Sequence, residues 1–278
     1  MVYGYGQKVG SALVQHPDVR LISFTGGTET GNKVYSLASN HLKKFSLELG
    51  GKNATVVFSD SPLETVVSTA VQAAFSNSGQ VCTSGSRIFV EKPIYETFLQ
   101  SFLEKMKQIR VGDPKLEDTD IGPLVSDKHL KKVMYYIHLA KEEGGNVFGG
   151  ERLMTPDLEN GYYLNPAVIT GVKHTARVCQ EEIFGPVVTI LPFDTEEQVL
   201  EYTNSVKYGL SASVWTQDIQ KALRVAHRID AGMVWINSWM AVDNRMPFGG
   251  VKASGIDKEG GLHSLKFFTE EKAISIAL

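Results

Sequence analysis

The chain has 278 residues, 42% of them hydrophobic and 21% charged, a balance that excludes disordered, collagen-like and coiled-coil proteins. At about 150 residues per domain, roughly two domains are expected. With 28 Lys and Arg against 31 Asp and Glu, the net charge of −3 leaves no basic footprint for nucleic acid, and no apolar run reaches the ~18–20 residues of a membrane span.

In chain order, residues 6–15 predict a helix and 19–24 a buried strand. A glycine-rich turn follows at 25–31, then a helix over 32–39. Strands are expected at 45–49 and 54–58, separated by Gly50 and Gly51. The 62–75 stretch predicts a helix with Pro62 in its first turn and Ser61 as a cap. A strand at 87–90 leads to a helix over 93–109, with Phe98, Phe102, Met106 and Ile109 on one side. A second amphipathic helix over 127–143 is stopped by Gly144 and Gly145. Further strands are expected at 164–169, 187–191, 212–215 and 233–236, with helices near 196–205 and 219–229. The last six residues, 273–278, predict a terminal strand. This alternation argues for an α/β fold with a mostly parallel sheet.

Two cysteines, Cys82 and Cys179, make no disulfide framework, and no Cys/His cluster has zinc spacing, so no metal is expected. The first residues lack a basic segment followed by an apolar one, and a reducing cytoplasm is the expected compartment. Cys82 follows a Gly-containing turn, where a sulfur can be exposed beside backbone N–H groups that lower its pKa and stabilise an oxyanion. A small buried thiol is the alternative reading. Cys179 reads as a packing residue, with no basic neighbour in sequence to activate it.

Glu48 lies between two leucines at a strand end. Buried there, its pKa would rise toward the range of a general base; facing solvent, it would be an ordinary strand acid. Gly50 and Gly51 permit a tight bend or the close approach of a ligand. Gly26, Gly27 and Thr28 stand where a phosphate meets helix N–H groups, or where a plain tight connection would do. Glu181 and Glu182 read as a solvated acidic pair before Phe184 and the Gly185-Pro186 turn. A second glycine-rich loop at 247–255 follows Trp239, Met240 and Arg245, which could line a pocket.

Taken together, these segments resemble the aldehyde dehydrogenase superfamily. Phe-Thr-Gly-Gly-Thr at 24–28 looks like its cofactor turn, and Leu-Glu-Leu-Gly-Gly-Lys at 47–52 like its glutamate motif. Asn-Ser-Gly-Gln-Val-Cys at 77–82 looks like its cysteine motif. Glu-Glu-Ile-Phe-Gly-Pro-Val at 181–187 and Pro-Phe-Gly-Gly at 247–250 look like two downstream signatures. The resemblance runs from about Val9 to the C-terminus. It implies an aldehyde-dehydrogenase-like α/β fold with the remnant of a dinucleotide domain at 1–50, a catalytic domain at 51–255, and a C-terminal segment at 256–278 carrying an oligomerisation-type strand.

The same resemblance implies oxidation of a small aldehyde to a carboxylic acid. Cys82 would be the nucleophile, its own N–H an oxyanion donor, and Glu48 the base that activates water. Gly26, Gly27, Thr28 and Gly50 would approach the cofactor, Glu182 would hold the nicotinamide ribose, and Phe184 would lie beside the ring. Trp239, Arg245 and Phe248 would face the substrate. NAD or NADP is the implied cofactor, NAD favoured, and a homo-oligomer without nucleic-acid or membrane partners is implied. Asn237-Ser238-Trp239 and the 260–265 stretch look like the hydroxymuconic and aminomuconic semialdehyde group, for which Arg245 would suit a carboxylate-bearing aldehyde. Residues 256–259, Ile-Asp-Lys-Glu, depart from the family's usual Gly-Arg-Glu.

Members of this superfamily are nearly twice as long. The 278 residues are therefore expected to lack most of a dinucleotide domain, to bind NAD or NADP poorly and to oxidise aldehydes negligibly alone. A non-catalytic assembly piece and a cofactor-free cysteine esterase acting through Cys82 are the alternatives.

Overall fold

A computed structural model describes residues 1–156 and 158–278. In chain order, a π-turn at Gly6–Gly10 runs into α1 (Ser11–Gln15) and then β1 (Leu21–Thr25). Helix α2 (Thr28–Ala38) precedes β2 (Lys44–Glu48) and β3 (Ala54–Val57). The chain continues through α3 (Leu63–Phe75), β4 (Arg87–Glu91), α4 (Tyr95–Met106) and α5 (Asp127–Glu142). Next come β5 (Asn146–Gly149), β6 (Ala167–Thr170), the single turn α6 (Arg177–Gln180) and β7 (Val187–Phe193). Helix α7 (Glu196–Asn204), the two-residue β8 (Tyr208–Gly209), β9 (Ser211–Trp215), α8 (Ile219–Arg228) and β10 (Met233–Ile236) follow. Short β11 (Val251–Lys252) and β12 (Gly255–Ile256) lead to α9 (Gly261–Phe268).

The chain divides into two compact units, Gly51–Ala241 and Met1–Gly50 with Val242–Leu278. The larger contains a seven-stranded sheet of order β10-β9-β3-β4-β7-β6-β5. Every neighbouring pair in it is parallel except β5 on β6 at the edge. Both faces are covered, so its strands are apolar on both sides rather than alternating. Ile88, Val90, Val188 and Ile190 pack with Val66, Ala70, Phe98 and Phe102 of α3 and α4 on one face. Val56, Phe89, Leu191 and Val214 pack with Leu130, Val133, Val199 and Val225 of α5, α7 and α8 on the other.

The smaller unit has a three-stranded sheet of order β1-β2-β12. Strands β1 and β2 are parallel, and β12 returns antiparallel on β2, setting Gly255 opposite Glu48. Gly31 lets α2 close on Leu49, whose Cδ2 a Cβ there would strike.

The α/β class and mostly parallel sheet agree with the sequence reading; several local expectations are corrected. Ser61 does not cap α3: its hydroxyl donates to Trp215 O (2.7 Å), and the N-cap is Pro62. Helix α2 starts at Thr28, so half of the expected turn is helical. The 93–109 helix is confined to Tyr95–Met106, because Pro93 sits in a separate 3-10 turn at Lys92–Ile94. Strand β5 and helix α9 were not expected. Residues 270–278 carry no regular structure: a strand needs a hydrogen-bonding neighbour, and among the described residues 273–278 have no strand partner.

Candidate active site

Cys82 is placed by a backbone reversal that few residues tolerate. Asn77, Ser78 and Gly79 all take left-handed conformations, with φ of 51°, 56° and 67°. Asn reaches this region more readily than most residues, and Gly pays nothing for it. A Cβ on Gly79 would also collide with Gly185 O, so the turn presses directly on the Glu181–Val187 segment. Two side chains of the turn fasten it: Ser78 Oγ donates to Gly122 O (2.7 Å), and Gln80 Oε1 accepts from Val125 N (3.0 Å).

Asn53 then clamps the far side. Its Nδ2 donates to Cys82 O (2.7 Å) and Ser84 O (2.9 Å), while its Oδ1 accepts from Ser211 N (3.0 Å). Cys82 is half-buried, so its thiol is neither sealed in the core nor freely exposed. Trp239 Nε1 donates to Thr83 O (3.0 Å), which brings the indole against the cysteine turn.

Glu182 and Phe184 lie in the same unit, beside this turn. Gly51, Val81, Ser84, Glu182 and Phe184 line one narrow cleft. The expected solvated acidic pair is not what folds. Glu181 pairs with Arg177 (2.7 Å) and accepts from Tyr136 Oη (2.7 Å), whereas Glu182 turns inward and accepts from Gly51 N (2.9 Å). Burial raises the pKa of Glu182, opposed by the Gly51 N–H and by Lys132, Lys52 and Lys207. Phe184 is strained at φ 61°, and its carbonyl accepts from His129 Nε2 (2.6 Å). A bulky residue in that conformation is an outlier of the kind that gathers at functional sites.

Lys52 and Arg87, two buried cations beside Asn53, were not singled out in the sequence. Arg87 donates to Lys52 O (2.8 Å), Tyr202 O (2.8 Å) and Thr203 O (2.9 Å). Lys52 is fully buried, and burial pushes its ammonium down to about 8. The available signal was a polar pair, Lys52 and Asn53, abutting the apolar β3. Cys179 is buried as a packing residue, and burial raises its thiol pKa. The expectation of no basic neighbour is corrected: Lys52 and Arg87, distant in sequence, lie close enough to oppose that rise, and burial still prevails.

In the smaller unit, Glu48 ends β2 and is 6% exposed, so the solvent-facing reading is excluded. Oε1 accepts no hydrogen bond among the described residues. Burial first, then Glu259, raises its pKa to about 7; Lys258 opposes and Asp257 adds. Gly26 N donates to Glu48 O (3.0 Å), tying the β1–α2 turn to this strand end. Gly27 caps α2 without a side-chain acceptor, leaving backbone N–H groups at the helix start. Thr28 Oγ1 donates to Ala253 O (3.3 Å). Phe248 exchanges backbone hydrogen bonds with Glu259 (2.8 and 2.7 Å). Arg245 is exposed and engaged by Asp243 through Nε (2.9 Å) and Nη2. Gly50 closes this unit. Thus Cys82, Glu182, Phe184 and Trp239 belong to one unit, and Glu48, Gly26, Gly27, Thr28, Gly50, Arg245 and Phe248 to the other.

The aldehyde dehydrogenase family model matches residues 1–274. The chain belongs to the aldehyde dehydrogenase family. A 2-aminomuconic semialdehyde dehydrogenase of Danio rerio is 47% identical, covering 99% of this chain and 58% of its own length. A Pseudomonas 2-aminomuconic 6-semialdehyde dehydrogenase is 42% identical, covering 97% of this chain and 56% of its own. Among solved structures, a betaine aldehyde dehydrogenase of Staphylococcus aureus in complex with NAD+ superposes with a TM-score of 0.93 at 40% identity, covering 95% of this chain and 53% of that one. The chain therefore spans little more than half the length of the relatives it matches. Among the described residues no group of His, Cys, Asp and Glu could hold a metal, and no helix is long and apolar enough to cross a membrane.

Proposed function

We propose that this chain carries the chemical centre of an NAD-dependent aldehyde dehydrogenase acting on a small semialdehyde. The observation that carries the reading is the contrast between the two cysteines. Cys82 is half-buried on a clamped, strained turn, while Cys179 is sealed in the core. Cys82 Sγ, as thiolate, adds to the aldehyde carbon, and the resulting oxyanion accepts from backbone N–H groups such as that of Cys82. NAD, when bound, supplies the hydride acceptor that converts this adduct to a Cys82 thioester. Glu48 takes a proton from water as the water attacks the thioester carbonyl; the C–S bond breaks, the acid leaves and the thiolate returns. An acid raised to about 7 is well matched to that task near neutral pH.

The residues present fit the dinucleotide. Glu182 is an inward carboxylate suited to ribose hydroxyls, and the start of α2 offers backbone N–H groups after two glycines, one of them without a neighbour where its Cβ would stand. Gly50 allows the chain to pass close to the ligand. Trp239 and Phe248 are read as substrate-facing. Arg245 would exchange Asp243 for a substrate carboxylate, which matches the substrate class named for the aminomuconic relatives.

Limiting iodoacetamide on the folded chain tests the assignment of the nucleophile. Cys82 is expected to be alkylated at least ~10-fold faster than Cys179, as exposure and thiolate character require. Equal rates, or faster labelling of Cys179, would remove Cys82 from this role.

A further inference from the structure

The hairpin after Phe248 does more than continue the chain. Its strand β12 pairs with β2, and the Phe248–Glu259 bridge closes its base. Gly249, at φ 145°, passes directly over the end of Glu48: a Cβ there would collide with Glu48 Oε1 and stand 3.1 Å from Lys258 Cδ. The carboxyl of Glu48 and the stem of Lys258 therefore lie against the same point of backbone. The lysine is pinned there, because its Nζ donates to Gly250 O. We propose that Lys258 is a positioning residue for Glu48, holding one fixed positive charge against a buried carboxyl whose Oε1 accepts no hydrogen bond among the described residues.

The hairpin also presents two carboxylates to Glu48, Asp257 and Glu259, and these three side chains are the charged groups that bear on it. Burial, Glu259 and Asp257 all favour the protonated acid, and Lys258 alone favours the carboxylate. The coupling is mutual: burial lowers the pKa of Lys258, while Glu48 and Asp257 raise it. Without Lys258, Glu48 would hold its proton further above neutrality, where a base is needed ionised. Residues 256–259 depart from the usual family motif, and the resemblance implies no role for Lys258.

The proposal rests on Glu48 being the base, but its test does not. Infrared titration of the full chain follows the carboxyl C=O band that disappears in Glu48→Gln. In Lys258→Met its midpoint should move up by about one pH unit, as expected for losing an opposite charge at close range. Lys258→Gln keeps a donor for Gly250 O and should shift it equally, whereas Lys258→Arg should leave it near the parent value. Glu259→Gln should move it down. An unchanged midpoint in a folded Lys258→Gln would overturn the proposal, as would unfolding of that variant, which would make the lysine a structural post. If the shifts occur but ester turnover by Cys82 is indifferent to them, the charge pair stands and the role of Glu48 as base fails.

Discussion

Asn53 shows how a single buried amide can fix the backbone that carries the proposed nucleophile. It holds Cys82 O, Ser84 O and Ser211 N at once, so one side chain ties the cysteine turn to β9. Asn53→Ala leaves these groups without partners in a buried site, at roughly 1 kcal/mol or more for each. Urea unfolding should show a loss of about 3 kcal/mol, together with a changed alkylation rate at Cys82. A loss below ~1 kcal/mol would mean that water or a shifted turn replaces the amide without penalty. The sequence offered Asn53 as an unremarked polar residue, because what it holds lies 29 to 158 positions away.

At the scale of elements, the turn at Asn77–Gly79 and the end of β2 carry opposite kinds of strain. The first is steric. Gly79→Ala puts a methyl both into left-handed backbone and onto Gly185 O, so it should destabilise by more than the ~1–2 kcal/mol of the backbone term alone. Cys82 should lose its reactivity advantage over Cys179 in the same variant. A Gly79→Ala protein that melts and alkylates like the parent would contradict the packing of this turn on Gly185.

The second strain is electrostatic. The folded state holds the Glu48 proton up to about pH 7, while the unfolded chain releases it near 4.5. Stability from this group is therefore complete below about 4.5 and is lost as pH rises through about 7. Relative to the parent, Glu48→Gln should gain up to about 3 kcal/mol of stability as pH rises from 4.5 to 8, read from urea midpoints across that range. A difference that stays flat with pH would mean that Glu48 ionises in the fold as it does in water.

For the molecule as a whole, the strand–helix alternation was legible because parallel strands buried on both faces announce themselves as short apolar runs, as at 54–58 and 187–191. Edge elements were not: among the described residues β5 pairs only with β6 and has an exposed, mixed sequence, and α9 begins at a glycine with positive φ and without a side-chain cap. Cys82 and Glu48 stood out as motif residues; burial then excludes the solvent-facing reading of Glu48 and leaves Cys82 half-buried. The cations Lys52 and Arg87 escaped because a buried charge is visible only once its surroundings are folded, and the partly buried Lys258 because the carboxyl it faces is distant in sequence.

The C-terminal stretch leaves Leu262, Leu265, Phe268, Ile274 and Ile276 exposed, an apolar run that favours self-association. Light scattering at micromolar concentration should give a mass above one chain, and Ile274→Asp with Ile276→Asp should lower it. A monodisperse monomer of the parent would exclude that surface as an interface.

The central claim, a Cys82 thioester cleared by water that Glu48 activates, is tested most directly by intact-mass and peptide analysis after mixing the chain with an activated ester. The parent should release the first product and then turn over. Glu48→Gln should give the burst and stall, with acyl group accumulated on Cys82 and hydrolysis slowed by ~10²–10⁴-fold. Acylation elsewhere than Cys82, or a Glu48→Gln variant that turns over as fast as the parent, would contradict the account.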